Sequence, residues 1–180
     1  MLATLPGSVV LRPSVMFGPD DDFFNKLGLL SSLSPVMPLI GGGATRFQPV
    51  FVRDVAEAVA VALEGGATAG ATYELGGPEV KTFRECAEMV AAVAHRKPFM
   101  VPVPFGLAAF QARFLQMLPK PLLTVDQVEL LKSDNVVSEA AVAGGRTLAG
   151  LGIAPTAIEA ELEGYLWRFR PRGQFERRPA

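Results

Sequence analysis

The chain has 180 residues, about one domain's length, and 49% of them are hydrophobic, which is enough for a packed core and excludes intrinsic disorder. Acids and bases nearly balance at a net charge of -1, which excludes bulk electrostatic attraction to nucleic acid. A single cysteine cannot form an internal disulfide, and no uninterrupted apolar run is long enough to cross a membrane. We therefore expect a cytoplasmic protein.

The first part of the chain predicts a strand, a helix and a second strand. Residues 8–11 are apolar and end at Arg12-Pro13, a pattern typical of a strand buried on both faces in a parallel sheet. Residues 20–33 begin with acids and continue with apolar residues at helical spacing, which predicts a helix. The glycines at residues 41–43 predict a flexible turn before a strand at residues 47–52.

Four later segments begin with the same helix-start signal, a short polar residue followed three positions later by an acid or amide that can complete a capping box. The pairs are Asp54 with Glu57, Thr82 with Glu85, Thr124 with Gln127, and Thr156 with Glu159. Between them the pattern predicts strands at residues 72–75 and 98–103 and a helix at residues 105–118. Strands that alternate with helices predict an α/β fold.

Groups suited to catalysis are few. The chain contains no G-x-G-x-x-G or GK[ST] string, so its glycine clusters are expected in turns and not in a phosphate loop. His95 stands at a predicted helix end, which favours a surface cap over a catalyst. Cys86 has apolar neighbours at helical spacing, which favours a core position over a nucleophile. The acids at residues 20–22 and 159–163 are expected at helix starts or on solvated faces.

Three strings stand out from this background. They are LRPSVMFGP at residues 11–19, GGGATRFQPVFVRDVA at residues 41–56 and YELGGP at residues 73–78. Together they resemble the C-terminal half of the extended short-chain dehydrogenases/reductases, the relatives of nucleotide-sugar epimerases and dehydratases. Combined with FFN at residues 23–25 and LGIAPT at residues 151–156, they are most similar to the NAD(P)-binding accessory subunits of respiratory complex I and their bacterial homologues.

The resemblance implies a Rossmann-like α/β fold. Residues 1–167 would supply its last sheet strands, at residues 8–12 and 72–75, together with a small, mostly helical substrate-side domain, and residues 168–180 would form a basic tail. The family's first half carries the Gly-rich nucleotide turn and a Tyr-x-x-x-Lys pair. We expect that half to be missing by truncation, which would leave sheet surface uncovered and make the isolated chain marginally stable. Neither Tyr73 nor Tyr165 has a lysine four residues later.

Four site residues follow from the resemblance. Pro13 and Ser14 match positions whose backbone lines the nicotinamide end of NADP(H) or NAD(H), and the alternative is a plain turn at the end of a strand. Arg46 and Gln48 match the substrate-side pocket, where a guanidinium suits anionic oxygens, and the alternative for Arg46 is an ordinary surface position. The dinucleotide belongs to the intact family fold, and this chain alone is not expected to hold it. We predict no catalytic residue and no metal site.

The expected function is that of a non-catalytic accessory subunit or assembly factor of NADH:ubiquinone oxidoreductase, with complex I subunits or the missing N-terminal half as partners. The alternative is the C-terminal half of an NAD(P)-dependent nucleotide-sugar epimerase, dehydratase or reductase. Neither function involves nucleic acid. A neighbouring reading frame that encodes the nucleotide turn would favour the alternative.

The helix predicted at residues 105–118 has two interpretations. It carries a stripe of large apolar residues and little charge, which is typical of a core helix in the small domain. The same stripe also suits a peripheral contact on the inner face of the cytoplasmic membrane. That contact would use Phe105, Phe110 and Phe114 together with the basic tail, whose first and last arginines are Arg168 and Arg178.

Overall fold

The computed structural model describes residues 7–117 and 123–173. The strands are β1 (Val10–Pro13), β2 (Met16–Phe17), β3 (Val36–Ile40), β4 (Arg46–Phe47), β5 (Val50–Phe51), β6 (Thr72–Leu75), β7 (Lys81–Thr82) and β8 (Phe99–Val103). The helices are α1 (Phe23–Leu33), α2 (Val52–Leu63), α3 (Phe83–Val93), α4 (Phe105–Leu115), α5 (Val125–Leu130), α6 (Glu139–Ala143) and α7 (Ile158–Leu166). The predicted α/β class is confirmed.

The strands associate in pairs, three parallel and one antiparallel. β1 pairs with β6, β2 with β5 and β3 with β8 in parallel, whereas β4 and β7 are antiparallel. The strand predicted at residues 72–75 is confirmed as β6, and the one predicted at residues 8–11 lies two residues later as β1. The single strand predicted at residues 47–52 is wrong, because Gln48 and Pro49 separate β4 from β5 and Val52 already opens α2.

β3 was missed in the sequence, because Pro35 and Pro38 resemble loop residues. Pro38 is tolerated in the strand since β3 pairs with β8 alone among the described strands, which leaves one ladder of β3 unused. One face of this pair is buried, with Met37 and Leu39 in the core. The other face is exposed at its start, where Val36 lies beside Phe99.

Asp21 connects the start of α1 to α7. The acids before α1 were expected inside its first turn, but the helix begins after them, at Phe23. The Asp21 carboxylate accepts hydrogen bonds from the backbone N–H of Phe24 (2.6 Å) and Asn25 (3.1 Å) and from the Tyr165 hydroxyl (2.6 Å). Burial and the adjacent Asp21 carboxylate raise the pKa of Tyr165, so its hydroxyl stays protonated as a donor.

Two of the four predicted helix caps are confirmed. Thr82 and Thr124 each form the complete capping box with the residue three positions later. The caps predicted at Asp54 and Thr156 are wrong, because α2 begins before Asp54, at Val52, and α7 begins after Thr156, at Ile158. Instead, Thr156 donates two hydrogen bonds to the Asp54 carboxylate.

The larger hydrophobic core lies between α1, α3, α7 and the β3–β8 pair. Phe17, Phe24 and Cys86 are fully buried in it, and His95 lies in an exposed turn after α3, so Cys86 and His95 are where the sequence placed them. Gly28 lets α1 pack against Phe169, which follows α7, since a Cβ at residue 28 would stand 2.4 Å from the Phe169 ring.

The first residues of the predicted basic tail pack on the body of the protein. Arg168 donates to the carbonyl of Pro19 at 3.0 Å, and Arg170, only 6% exposed, donates from Nε to the carbonyl of Val93 at 2.8 Å. Residues 174–180, including Arg178, lie outside the described residues. The domain boundary at residue 168 stays a prediction.

The interpretation of α4 as a core helix built on its large apolar stripe is wrong. The buried side of α4 is formed by Ala108 and Ala112, whereas Phe110 and Phe114 are 60% and 62% exposed. The helix ends at Leu115, and residue 118, where its end was predicted, lies outside the described residues. Among the residues described, no helix combines the length and apolarity needed to cross a membrane.

Candidate functional site at the carboxyl edge of β1 and β6

A cavity opens where β1 and β6 end. Because the two strands are parallel and in register from Val10 with Thr72 to Pro13 with Leu75, their carboxyl ends meet at one edge. The cavity there has a volume of about 350 Å³, with Arg12, Pro13, Ser14, Glu74 and residues 134–138 among its walls. Open α/β sheets bind their ligands at this edge.

Ser14 joins three segments of the site. Its N–H donates to the carbonyl of Leu75 at 2.9 Å, which closes the end of the β1–β6 ladder. Its hydroxyl donates to the carbonyl of Asn135 at 2.6 Å and accepts the N–H of Gln48 at 3.2 Å. The buried Ser14 side chain therefore holds the chain at Asn135 against the strand ends.

Arg46 contacts the segment of residues 134–138 through an ion pair with Asp134. The Arg46 N–H and Nε donate to the two carboxylate oxygens of Asp134 at 2.8 and 2.9 Å, and Nη2 lies 2.7 Å from Oδ2. The hydrogen bond from the Arg46 backbone, then that from its side chain, lower the pKa of Asp134. The guanidinium is thus neutralised within the chain, and more than half of the side chain remains exposed.

Gln48 spans the site with both ends of its amide. Nε2 donates to the carbonyl of Gly77 at 2.8 Å, and Oε1 accepts the N–H of Val137 at 3.0 Å. Gly77 passes so close that a Cβ there would lie 2.0 Å from the carbonyl oxygen of Pro49. Only glycine permits this approach, which explains one glycine of the YELGGP string.

The residues that complete the site, Glu74 and residues 134–138, were not predicted from the sequence. Glu74 accepts the N–H of Ser138 at 2.8 Å, and this bond is the main reason that the pKa of Glu74 is lowered. Ser138 in turn caps α6 through the N–H of Ala141. A carboxylate inside a short strand and the Ser-Glu pair that opens α6 were the available signals. Asp134 and Asn135 have no local signal, because Arg46 lies 88 residues from Asp134 and Ser14 lies 121 residues from Asn135 in the chain.

The structure brings all four predicted site residues together around residues 134–138, with Pro13 and Ser14 on the cavity wall and Arg46 and Gln48 behind it. The ionisable side chains lining the cavity are Arg12, Glu74 and Asp134. Both tyrosines use their hydroxyls elsewhere: that of Tyr73 accepts the N–H of Thr68 at 3.0 Å, and that of Tyr165 donates to Asp21. In the described part of the chain, no cluster of three His, Cys, Asp or Glu residues suits a metal ion.

No protein-family model matches this chain. It is 34% identical to the protein of Arabidopsis thaliana named NADH dehydrogenase [ubiquinone] 1 alpha subcomplex subunit 9, mitochondrial, over 96% of this chain and 44% of that protein. It is 30% identical to the NADH-ubiquinone oxidoreductase 40 kDa subunit of Neurospora crassa, over 97% of this chain and 45% of that protein. The chain spans about half the length of the curated relatives it matches.

Solved structures agree on the fold. The dTDP-glucose 4,6-dehydratase of Bacillus anthracis in complex with NAD matches with a TM-score of 0.60 at 17% identity, over 93% of this chain and 46% of that one. The UDP-glucose 4-epimerase of Thermus thermophilus, also in complex with NAD, matches with a TM-score of 0.58 at 22% identity, over 92% of this chain and 47% of that one.

The chain thus has the Rossmann-like α/β fold of these dehydratases and epimerases, with a cavity at the carboxyl edge of β1 and β6. The resemblance of the sequence to the C-terminal half of the complex I subunits of this type is confirmed.

Proposed function

We propose that the protein is a non-catalytic accessory subunit or assembly factor of NADH:ubiquinone oxidoreductase. The observation that carries this proposal is the 34% identity to a complex I subunit over 96% of the chain. The site supports it, because the side chains of Ser14, Arg46 and Gln48 are bonded to other parts of this chain in ways that build structure. A complex I partner would therefore meet a preformed surface.

Affinity purification from detergent-solubilised membranes of the native host tests this function. The tagged chain should recover complex I subunits in fixed proportion, and deletion of its gene should lower the amount of assembled complex I on native gels. A chain with the Phe110→Ser substitution and one with the Leu63→Ser substitution compare two exposed apolar positions on different helices. Normal assembly after deletion, without co-purification, would contradict the proposal.

We propose further that Pro13 and Ser14 border the nicotinamide end of NAD(H) or NADP(H) when the nucleotide half of the fold is supplied by the whole protein or a partner chain. This chain contains no G-x-G-x-x-G string. The Ser14 N–H is also committed to Leu75. Calorimetric titration of the isolated chain with NADPH should give no binding heat, and micromolar binding would contradict this view.

The alternative function is half of an NAD(P)-dependent epimerase, dehydratase or reductase. The cavity at the carboxyl edge supports it, since that is where substrates of such folds bind. Co-expression with a nucleotide-binding half from the same genome, followed by chromatography of the sugar nucleotides formed from UDP-glucose or dTDP-glucose, decides between the two functions. Product analysis is the readout because epimerases and dehydratases of this kind return the hydride to the sugar and release no net NADH.

We also propose that α4 contacts an anionic membrane surface. Its exposed side carries Leu107, Phe110 and Phe114, the exposed Met117 follows its end, and the one charge on the helix is the cation Arg113. Exposed aromatic and aliphatic side chains beside a cation suit the interface of acidic phospholipids. The membrane contact predicted from the sequence included Phe105. That part of the prediction is wrong, because Phe105 packs against the core with its ring next to Gly41.

Flotation with phosphatidylglycerol vesicles tests the membrane contact. Phe110→Ser with Phe114→Ser should remove the chain from the vesicle fraction, whereas Leu63→Ser, a change at a still more exposed apolar position on α2, should not. Equal flotation of all variants would contradict this contact.

A further inference from the structure

A second cavity lies at the amino-terminal edge of another strand pair, where β3 and β8 begin. Each of these strands follows a helix, α1 before β3 and α3 before β8. Because the two strands are parallel, the carboxyl ends of α1 and α3 arrive at the same place. A cavity of about 320 Å³ forms there between the last turn of α1, Ser34-Pro35 and Arg96-Lys97-Pro98. This volume is within the roughly 300–1,000 Å³ of small-molecule sites.

Three cations gather at this edge of the protein. In the described residues, Arg96, Lys97 and Arg170 form no ion pair, although five other cations do: Lys26, Arg46, Lys81, Arg84 and Lys132. Arg96 reaches from Nε toward the carbonyl of Phe169, at 3.4 Å, and so adjoins Arg170. Only 6% of Arg170 is exposed, and the one described hydrogen bond of its side chain runs from Nε to the Val93 carbonyl.

The dipoles at the carboxyl ends of α1 and α3 offset only part of the positive charge of the three cations. Cations at a helix carboxyl end offset its dipole, which amounts to about half a negative charge per helix. Two helix ends therefore offset about one of the three positive charges, and roughly two remain. Of the three cations, Arg96 and Lys97 lie in the cavity wall. Since neither has a counter-charge among the described residues, an anion in the cavity would be favoured beside them.

The donors that face the cavity are those of Arg96 and Lys97. The serine hydroxyls in its wall are already committed, that of Ser31 to the Gly28 carbonyl at 2.8 Å and that of Ser34 to the Val36 carbonyl at 2.9 Å. Guanidinium and ammonium groups bind phosphate oxygens through charge-assisted hydrogen bonds. We propose that this cavity binds the phosphate group of an anionic ligand, with Arg96 and Lys97 as its donors.

Exposed apolar side chains beside the cavity distinguish two possible sources of the phosphate group, a phospholipid and free phosphate. Leu33 lines the cavity and Phe99 follows it in the chain, and these side chains are 72% and 74% exposed. A phospholipid would use both the cations and these apolar side chains, whereas free phosphate would use the cations alone. Phe99→Ser should therefore weaken binding of a lipid and leave binding of inorganic phosphate unchanged.

Isothermal titration calorimetry of the full chain tests the site with two probes, inorganic phosphate and dihexanoyl phosphatidic acid kept below its micelle concentration. At least one probe should bind with one site per chain. Lys97→Gln should weaken that binding about fivefold, and Arg96→Gln with Lys97→Gln about twenty-five-fold, since each nearby cation contributes about 1 kcal/mol. Arg53→Gln removes an exposed cation on α2 and should change nothing.

Thermal melts establish that the variants are folded before titration. Binding of neither probe, or equal weakening by Arg53→Gln and Lys97→Gln, would overturn the proposal. The result is independent of complex I assembly and of α4, because both probes are soluble and neither needs a membrane.

Discussion

Asp54 and Thr156 lie 102 positions apart in the chain and are joined by two hydrogen bonds. The Thr156 N–H donates to Oδ2 of Asp54 at 2.7 Å, and its hydroxyl donates to Oδ1 at 2.9 Å. Asp54 is 6% exposed, so these bonds replace the water that its carboxylate would otherwise hold. The contact fixes the segment that enters α7 against the first turn of α2.

Asp54→Ala should destabilise the protein by about 1–3 kcal/mol, because it leaves the N–H and hydroxyl of Thr156 without an acceptor. Urea unfolding followed by circular dichroism measures the change. Glu57→Ala, an exposed acid one turn along the same helix, is the matched control and should stay within about 0.5 kcal/mol. Equal effects of the two substitutions would mean that the Asp54–Thr156 contact contributes nothing.

Gln48→Glu should make stability depend on pH. An ionised carboxylate can still accept the Val137 N–H, but its second oxygen would face the Gly77 carbonyl, which now accepts a hydrogen bond at 2.8 Å. The protonated acid can donate there, so the folded state favours protonation. The variant should therefore be most stable below the ordinary Glu pKa of about 4.3 and lose stability as pH rises through the raised folded value.

Thermal melts of Gln48→Glu and Gln48→Ala at pH 4 to 7 check this prediction. Gln48→Ala removes both hydrogen bonds and should cost a similar amount at every pH, about 1–2 kcal/mol. A parallel pH response of the two variants relative to the unaltered protein would disprove the proposed role of the Gly77 carbonyl.

Cys86 should make the protein less stable at alkaline pH. Burial raises the pKa of the Cys86 thiol from its ordinary 9.0 to about 12. The unfolded chain releases the thiol proton above pH 9.0 and the folded chain only near 12, so stability is lost as pH rises between these values. The slope is at most about 1.4 kcal/mol per pH unit.

Cys86→Ala isolates this contribution, because Lys81 and both tyrosines also titrate in the alkaline range. Between pH 9 and 11 the unaltered protein should lose stability more steeply than Cys86→Ala in urea unfolding. The folded thiol should also resist iodoacetamide at neutral pH. Matching slopes, or rapid alkylation of the folded chain, would contradict the burial of Cys86.

The two sides of α4 should respond in opposite ways to substitution. Ala108 is fully buried, so Ala108→Leu should overpack the core and cost about 1–3 kcal/mol. Phe114 is exposed and contacts Phe110 edge to face at a centroid distance of 5.2 Å, so Phe114→Ser should cost less than about 1 kcal/mol. Denaturant midpoints of the two variants give the comparison, and a larger loss for Phe114→Ser would return α4 to the core.

Local signals in the sequence predicted much of the fold. The capping boxes at Thr82 and Thr124 and the strand at residues 72–75 are confirmed, because each depends on neighbours within a few positions. The cap predictions failed at Asp54 and Thr156, where the same residue types have long-range partners. For the candidate site, the family strings placed Pro13, Ser14, Arg46 and Gln48 together, but their partners at residues 134–138 carried no local pattern.

The sequence by itself determined the α/β class, the family resemblance and most helix and strand positions, since periodicity, turn chemistry and short strings are properties of adjacent residues. Only the tertiary structure decided which side of α4 faces solvent and which carboxylate each polar side chain meets. It also decided that Arg96, Lys97 and Arg170 share one edge, because the parallel pairing of β3 with β8 sets where two helices end. Such contacts depend on which distant segments pack together, and no local spacing in the chain encodes that choice.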